Sequence, residues 1–377
     1  MKRLDAVPEH LLSQVQIPGL KDVRYRVGID TDAMFQECAA SFHRELADLE
    51  NSGYTGGPLP PAVYLSISGG GDNGAFAAGL LNGWTQSGSR PEFKLVTGIS
   101  TGGLIAPFAF LGPAYDAKLK ELYTNVSQED ILIKRSFLAT VMSDAMMDNK
   151  PLWQRLEKEI TREFLDKIAF EYEKGRLLMI GTTDLDAGLS VIWNMGRLST
   201  YQDPRALELF RAVMIASSSI PGAFPPVMID VDVNGKSYQE MHVDGGAMAQ
   251  VFLYPPSLHL NVLSREHKAE RQRTLYIIRN SRLDPQWANT ERRVMSIAKR
   301  AISSLIHTQG LGNLYQIYLT TQRDSIDYNL AFIPSTFDAI HREDFDTQYM
   351  CALYDTGYQL AEKGYSWHKH PPGHGNK

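Results

Sequence analysis

The sequence is poor in cysteine, has no excess of positive charge and contains no long run of apolar residues. Only two of its 377 residues are cysteines, Cys38 and Cys351, and we expect two buried or idle thiols rather than a disulfide. The formal net charge of −5 argues against nucleic acid as a partner. Because no stretch of about 18 apolar residues occurs, no membrane-spanning helix is expected.

Signals for metal binding and for targeting are also missing. No C-x-x-C or H-E-x-x-H spacing occurs, so we predict neither a metal site nor a cofactor. After Met1 the chain continues directly with Lys2, Arg3 and Asp5 and shows no apolar h-region, so no signal peptide is visible. The compartment therefore stays open: the cytoplasm, or the cell envelope or exterior if a leader has been removed.

What is present is the composition of an ordinary globular protein, with 43% hydrophobic and 21% charged residues. A chain of this length can form one large domain with a sizeable core. Residues 1–60 are rich in predicted loops, apart from a helix predicted from Thr31 to Leu49. We predict that residues 1–60 form an N-terminal arm packed on the core, and that residues 61–377 form the main domain and end in a helical extension.

The first motif with chemical meaning is a glycine-rich loop between a strand and a helix. β-Branched and aromatic residues predict a strand over Ala62–Ser68, and a helix is predicted from Ala75. The loop between them consists of Gly69, Gly70, Gly71, Asp72, Asn73 and Gly74. Such a loop gathers backbone amides that bind an anion or an oxyanion. A tight turn without a ligand is the alternative, and the Gly-Lys-Ser/Thr of a phosphate-binding nucleotide loop is missing.

The next predicted strand also ends in a glycine turn. The apolar run Phe93–Val96 leads into Gly98-Ile99-Ser100-Thr101-Gly102, and a helix is predicted from Leu104. G-x-S-x-G between a strand and a helix is the nucleophile-elbow pattern, which presents the serine hydroxyl above the sheet edge. The pentapeptide alone is weak evidence. Two glycine turns at one edge of a parallel sheet are more specific, because ligands bind at that edge.

The rest of the chain alternates between predicted strands and helices. Two hairpins are predicted, one at the Asp184–Gly188 turn and one at Asn234-Gly235. Helices are predicted over Pro151–Gly175, Arg205–Ser217, 287–321 and Phe345–Lys363, and further strands over Thr274–Ile278 and Ser325–Ile333. With the two strand–turn–helix units, this order predicts an α/β fold with a mostly parallel central sheet.

Two segments carry apolar patterns of less certain purpose. The helix predicted over 287–321 has one apolar face, formed by Val294, Ile297, Ala298, Ala301, Ile302 and Leu305. The Met-rich segment Glu129–Lys150 is predicted to be a surface helix or a flap. Its methionines, Met142, Met146 and Met147, are interpreted as core residues or, alternatively, as the lining of an acyl groove.

The third motif is an aspartate at a strand end. The strand predicted over Tyr238–Val243 is followed by Asp244-Gly245-Gly246, a turn that points the carboxylate at the sheet edge. A serine hydroxyl is a poor nucleophile without a base, and the usual base is a histidine placed by an acid. His242 would lie on the same face of the strand as Asp244. Asp244 could also act on Ser100 directly, or could form only an Asx turn.

In this order and spacing, the three motifs resemble those of the patatin-like phospholipase family. The resemblance covers about residues 60–250. It implies a three-layer α/β/α patatin-like fold, and lipid acyl hydrolase activity in the 61–377 domain without a metal or cofactor. It also implies a serine–aspartate dyad without histidine, in which Ser100 is the nucleophile and Asp244 the base.

The resemblance also assigns roles to the glycine turns. The loop of Gly69 to Gly74 would form the oxyanion hole, with Gly70 and Gly71 supplying amides, while Gly98 and Gly102 would shape the elbow. One departure is Asn73, since the family commonly has Arg or Lys at that position. An uncharged amide attracts a phosphate head group less, so phospholipase, lipase and esterase activities are equally open.

The expected partner is a lipid or another acyl ester. A lipid substrate is compatible with peripheral contact with a membrane, although the sequence shows no amphipathic basic helix that would prove it. A catalytically silent lipid- or protein-binding module on the same fold is the alternative, and a nucleotide-binding protein is a weaker third hypothesis.

Overall fold

A computed structural model of the chain describes residues 3–134, 145–266 and 270–374. Its centre is a sheet of nine strands in the order β1-β7-β6-β3-β2-β10-β11, to which the hairpin β8–β9 is added by pairing of β9 with β6. The strands of this sheet are β1 (Arg24–Arg26), β2 (Ala62–Ile67), β3 (Leu95–Ile99), β6 (Leu177–Asp184), β7 (Leu189–Asn194), β8 (Val227–Val233), β9 (Lys236–Asp244), β10 (Arg273–Arg279) and β11 (Asp327–Phe332). Two short strands, β4 (Ile133–Lys134) and β5 (Met147–Asp148), form a separate antiparallel pair.

The middle of the sheet is parallel, as the sequence predicts. Strands β6, β3, β2, β10 and β11 pair in parallel, in register pairs such as Ile67 with Gly98 and Gly98 with Ile180. The additions at the β6 edge, β7, β9 and β1, are antiparallel. Because the loops after β2 and β3 leave neighbouring parallel strands in the same direction, the two glycine turns meet at one edge.

Helices cover both faces of the sheet and complete three layers. They are α1 (Thr31–Asn51), α2 (Gly74–Gln86), α3 (Thr101–Leu111), α4 (Asp116–Thr124), α5 (Gln128–Ile131), α6 (Lys150–Glu159), α7 (Arg162–Glu173), α8 (Met195–Thr200), α9 (Pro204–Ser217), α10 (Leu260–Glu266), α11 (Val294–Arg323) and α12 (Thr347–Glu362). Alternate strand residues enter two separate cores. Leu65 and Val96 pack with helices α2, α3 and α9, whereas Tyr64 and Leu95 pack with α1 and α11. This α/β architecture is the predicted one.

Two helix predictions are wrong in their extent. The single helix predicted over Pro151–Gly175 is two helices, because Thr161 begins a new one and its hydroxyl accepts a hydrogen bond from the Phe164 amide. The helix predicted over 287–321 begins at Val294, and the apolar side chains of its first turns are exposed. A helix period predicts which residues share a face, but not whether anything packs on that face.

The Met-rich segment is described only at residues 129–134 and 145–150, where the structure shows the end of the short helix α5 and the strand pair β4–β5. Met142 lies outside the described residues. Met146 is 44% exposed, so it is not a core residue. Both cysteines are free thiols, as expected. Among the described residues, no helix is long and apolar enough to span a bilayer.

Candidate active site

Ser100 lies in a strained turn between β3 and α3. Its backbone angles are φ 56° and ψ −127°, a conformation that residues other than glycine rarely adopt. A Cβ atom at Gly98 would lie 2.3 Å from the Gly102 carbonyl oxygen, and one at Gly102 would lie 2.3 Å from the Ile67 carbonyl oxygen. The two glycines therefore let β3, α3 and the end of β2 approach one another, as the elbow pattern predicts.

Ser217, at the end of α9, holds this turn in place. The Ser100 amide donates a hydrogen bond of 3.0 Å to the Ser217 hydroxyl, which in turn donates 2.8 Å to the carbonyl oxygen of Gly181 in β6. Ser217 is fully buried. Ser217 could not be selected from the sequence, because a serine at a helix end is common and its partners are distant in the chain.

Asp244 ends β9, close enough to Ser100 for the serine side chain to affect its pKa. The Gly246 amide donates a hydrogen bond of 2.7 Å to the carboxylate. Burial raises the pKa of Asp244 to about 6, although the neighbouring Ser100 side chain and the Gly246 amide favour the ionised form and limit the shift. A side chain of this kind is ionised at neutral pH and is basic enough to accept a proton.

His242 lies in a different network and does not reach Ser100. Its Nδ1 is 2.9 Å from the Thr182 hydroxyl and its Nε2 is 3.0 Å from a carboxylate oxygen of Glu240. Glu240 also pairs with Arg24 of β1. With both ring nitrogens engaged and no exposed surface, His242 is placed as a structural residue between β1, β6 and β9.

The glycine loop before α2 lies against the Ser100 turn. The amides of Gly69 and Asn73 donate to the carbonyl oxygens of Gln250 and Gly70. Among the residues that the structure describes, the amides of Gly70, Gly71 and Asp72 have no acceptor. Gly70 has φ 158°, and a Cβ atom there would lie 2.4 Å from the Asn280 carbonyl oxygen, so only glycine fits.

The side chains of Asp72 and Asn73 are held by the C-terminal part of the chain. Asp72 Oδ2 accepts hydrogen bonds from His341 Nε2 at 2.7 Å and from the Phe345 amide at 2.9 Å. Asn73 Oδ1 accepts one from the Tyr349 hydroxyl at 2.7 Å. Asn73, which replaces the Arg or Lys expected from the resemblance, therefore helps to hold the loop in place. These contacts lie outside the stretch on which the resemblance rests, and sequence analysis missed them.

An apolar pocket opens beside Ser100 and Gly71. It has a volume of about 830 Å³, counting the space at its open mouth. Aliphatic and aromatic side chains dominate its lining, including Leu104, Phe108, Val126, Leu156, Phe224 and Met350. Met146 and Met147 are not among the residues that line it, so the predicted methionine groove is not formed by them.

The aspartates of the β6–β7 turn are not part of the site. Asp184 caps its own turn by accepting a hydrogen bond from the Asp186 amide, and Asp186 pairs with Arg3. In the described ranges, no cluster of histidine, cysteine or acidic side chains could hold a metal ion.

Comparison with known proteins identifies the fold family. The profile of the patatin-like phospholipases matches residues 65–255. No curated protein sequence matches the chain. Among solved structures, VipD from Legionella pneumophila is 12% identical with a TM-score of 0.38, covering 80% of this chain and 67% of that one.

Human GIVD cytosolic phospholipase A2 is 11% identical with a TM-score of 0.29, covering 75% of this chain and 51% of that one. Structural similarity at this level does not indicate which substrates this chain binds. The family profile, in contrast, spans both glycine turns and Asp244, and covers more than half of the sequence. The chain belongs to the patatin-like phospholipase family.

Proposed function

We propose that this protein is a serine acyl hydrolase that cleaves fatty acyl ester bonds of lipids through Ser100 and Asp244. Membership of the family supports hydrolysis of lipid esters in general. The observation that carries the finer proposal is the strained turn that presents Ser100 to an apolar pocket, with the buried Asp244 carboxylate near enough for the serine side chain to affect its pKa.

In the first half of the reaction, the ionised Asp244 carboxylate accepts the proton of the Ser100 hydroxyl. The serine oxygen attacks the ester carbonyl carbon and forms a tetrahedral intermediate. The free amides of Gly70, Gly71 and Asp72 are the donors available to the oxyanion. Asp244 then returns the proton to the departing alcohol, which leaves an acyl group on Ser100.

In the second half of the reaction, a water molecule acts as the nucleophile and Asp244 transfers the protons as before. Asp244 takes a proton from the water as it attacks the acyl carbonyl, and gives it to Ser100 Oγ when the carboxylic acid departs. The apolar pocket is suited to the acyl chain, since its lining offers few polar groups. The uncharged Asn73 gives no special preference for a phosphate head group, so the proposal covers phospholipids and neutral esters.

The test combines covalent labelling with an ester panel. A fluorophosphonate probe should label wild-type protein, and Ser100→Ala should remove the label and the hydrolysis of p-nitrophenyl esters of increasing acyl length. Equal labelling of the two proteins would exclude Ser100 as the nucleophile. A fold-retaining but silent binding module, the second candidate, predicts no turnover of any ester in the panel.

A further inference from the structure

The first part of α11, from Val294 to Ile306, projects from the body of the protein and exposes its apolar side chains. Val294 is 83% exposed, Met295 70% and Leu305 70%. We define the α11 apolar face by the six large apolar residues in this part of the helix, Val294, Met295, Ile297, Ile302, Leu305 and Ile306, all classed as exposed. Exposed apolar residues concentrated in this way usually mark an interaction site.

The polar side of the same helix faces the protein. At 100° per residue, the α11 apolar face covers about half of the helix circumference, and Arg300, Ser303 and His307 lie on the opposite side. Arg300 donates a hydrogen bond of 2.6 Å to the Gln286 carbonyl oxygen, which ties that side to the preceding loop. The apolar side therefore points away from the body. The next residue in the loop, Trp287, is 88% exposed.

The charge around this face is mainly positive. The sequence from Arg292 to Arg323 contains no Asp or Glu, and Arg292 and Lys299 flank the α11 apolar face. Arg293 pairs with Glu291 at 3.3 Å, and Arg300 lies on the opposite side of the helix. The whole chain, in contrast, has a formal net charge of −5. A second copy of the chain would bring the same cations together, which is unfavourable. An anionic lipid surface complements both the cations and the apolar side chains.

The helix also connects this face to the Ser100 turn. Further along α11, Gln309 Oε1 accepts a hydrogen bond from Gln250 Nε2 at 3.0 Å, and Asn313 Oδ1 accepts one from the Gln250 amide at 2.8 Å. The Gln250 carbonyl oxygen accepts a hydrogen bond from the Gly69 amide. One rigid element thus links the exposed face to the loop beside the nucleophile.

We infer that the α11 apolar face and Trp287 dock on an anionic lipid surface, with the helix lying in the plane of that surface. Only the purpose of docking, delivery of lipid ester to Ser100, rests on the proposed function. The first part of α11, from Val294 to Ile306, has the apolar side and the neighbouring cations that such a helix needs. The sequence analysis described its apolar face but did not assign it to a lipid surface.

The experiment measures co-sedimentation of the full chain with vesicles, using Ser100→Ala protein so that hydrolysis does not alter the lipid. Binding should be strong on phosphatidylcholine vesicles containing phosphatidylglycerol, and should weaken about fivefold for each cation removed in Arg292→Gln and Lys299→Gln. Ile302→Glu with Leu305→Glu should lower partitioning by about tenfold or more. Phe170→Glu, at a 63% exposed site on α7, is the matched control and should bind as its parent.

Tryptophan emission gives a second measurement that needs no charged variant. Trp287 is far more exposed than the buried Trp84 and Trp193, so vesicles should shift the emission to shorter wavelength, and Trp287→Phe should remove the shift. Circular dichroism checks that each variant is folded.

Three results would overturn the inference: no vesicle binding, equal loss in the Phe170→Glu control, or a dimer in sedimentation velocity that the Ile302→Glu and Leu305→Glu changes convert to a monomer. The last result would assign the face to a second copy. Vesicle binding without fluorophosphonate labelling of the wild type would instead contradict only the proposed function.

Discussion

At the scale of single residues, the dyad predicts different outcomes for the two titratable groups near the end of β9. Asp244→Asn keeps the size of the side chain but removes the base, so kcat for ester hydrolysis should fall by about 10²- to 10⁴-fold. His242→Ala should retain most of the activity per folded molecule, because His242 bonds to Thr182 and Glu240 and not to Ser100. Fluorophosphonate titration counts the folded molecules. Loss of activity in His242→Ala alone would favour a histidine-dependent triad.

The raised pKa of Asp244 predicts a pH dependence of catalysis. The base must be ionised, and its pKa is about 6, so kcat/KM should decline below about pH 6 with a tenfold loss per pH unit. The measurement is a pH–rate profile with a soluble p-nitrophenyl ester, whose chemistry does not depend on vesicles. A profile that stays flat down to pH 4 would be inconsistent with Asp244 as the base.

The raised pKa of Asp244 also predicts that the ionised carboxylate needed for catalysis destabilises the folded protein at neutral pH. Because the pKa of Asp244 in the folded protein lies above its ordinary value of 3.8, the stabilising contribution of protonated Asp244 is full below about pH 4 and is lost as the pH rises through about 6. Asp244→Asn removes the ionisation and should raise the free energy of unfolding by about 2–3 kcal/mol at pH 7. Urea unfolding at pH 7 and pH 4 tests this, and an equal effect at both pH values would contradict it.

Ser217 is predicted to position the nucleophile without touching substrate. Ser217→Ala leaves the buried Ser100 amide without its acceptor, so kcat should fall about tenfold while KM stays unchanged. Ser199→Ala is the control, since Ser199 is equally buried and its hydroxyl donates a hydrogen bond to the Met195 carbonyl oxygen within α8. Steady-state kinetics of both variants decide, and equal effects would remove the special role of Ser217.

At this scale the sequence predicted Ser100, Asp244 and the glycine loop because each is marked by local glycine requirements. Gly98, Gly102 and Gly70 are needed where backbones pass within contact distance, and such needs show in the sequence. Ser217 and His341 could not be found in this way. Each acts through one hydrogen bond to a distant residue, and a lone serine or histidine has no pattern.

At the scale of elements, the glycine loop before α2 depends on how closely α2 packs on α12. A Cβ atom at Gly79 would lie 2.0 Å from the Tyr354 carbonyl oxygen, so Gly79→Ala should force the two helices apart. We expect a loss of about 1–3 kcal/mol in the free energy of unfolding. Gly312→Ala in α11 is the matched control: a Cβ atom there meets nothing within 4 Å, and the change should stabilise by up to about 1 kcal/mol. Chemical denaturation measures both; destabilisation by Gly312→Ala or stability of Gly79→Ala would contradict the packing argument.

Element boundaries were less predictable than element types. The break between α6 and α7 depends on Thr161, whose capping hydrogen bond competes with continuation of a favourable helix period. The exposure of Val294 and Leu305 could not be predicted at all from the period, because burial depends on which elements pack nearby.

At the scale of the whole molecule, the residues beyond the family match are part of the same sheet. Strand β10 pairs with β2, the strand that leads into the glycine loop, and β11 pairs with β10. The C-terminal helix α12 and its preceding loop hold Asp72 and Asn73. Whether residues 1–60 act as a separate arm stays a prediction, although β1 within them extends the sheet at β7.

A protein ending at residue 255 should therefore fail to fold, because β2 would lose β10, one of its two neighbouring strands, and the core on that side would be open. Soluble yield, circular dichroism and fluorophosphonate labelling of the truncated chain test this. A folded, labelled fragment of residues 1–255 would show that the C-terminal strands are dispensable.

The proposed mechanism requires an acyl group that is carried covalently by Ser100 during turnover. Rapid quenching of the enzyme during turnover of a p-nitrophenyl ester, followed by peptide mass spectrometry, should find the acyl mass on the peptide of Ser100 in wild-type protein and no acyl mass in Ser100→Ala. Acylation of another residue, or turnover that persists in Ser100→Ala, would contradict the account.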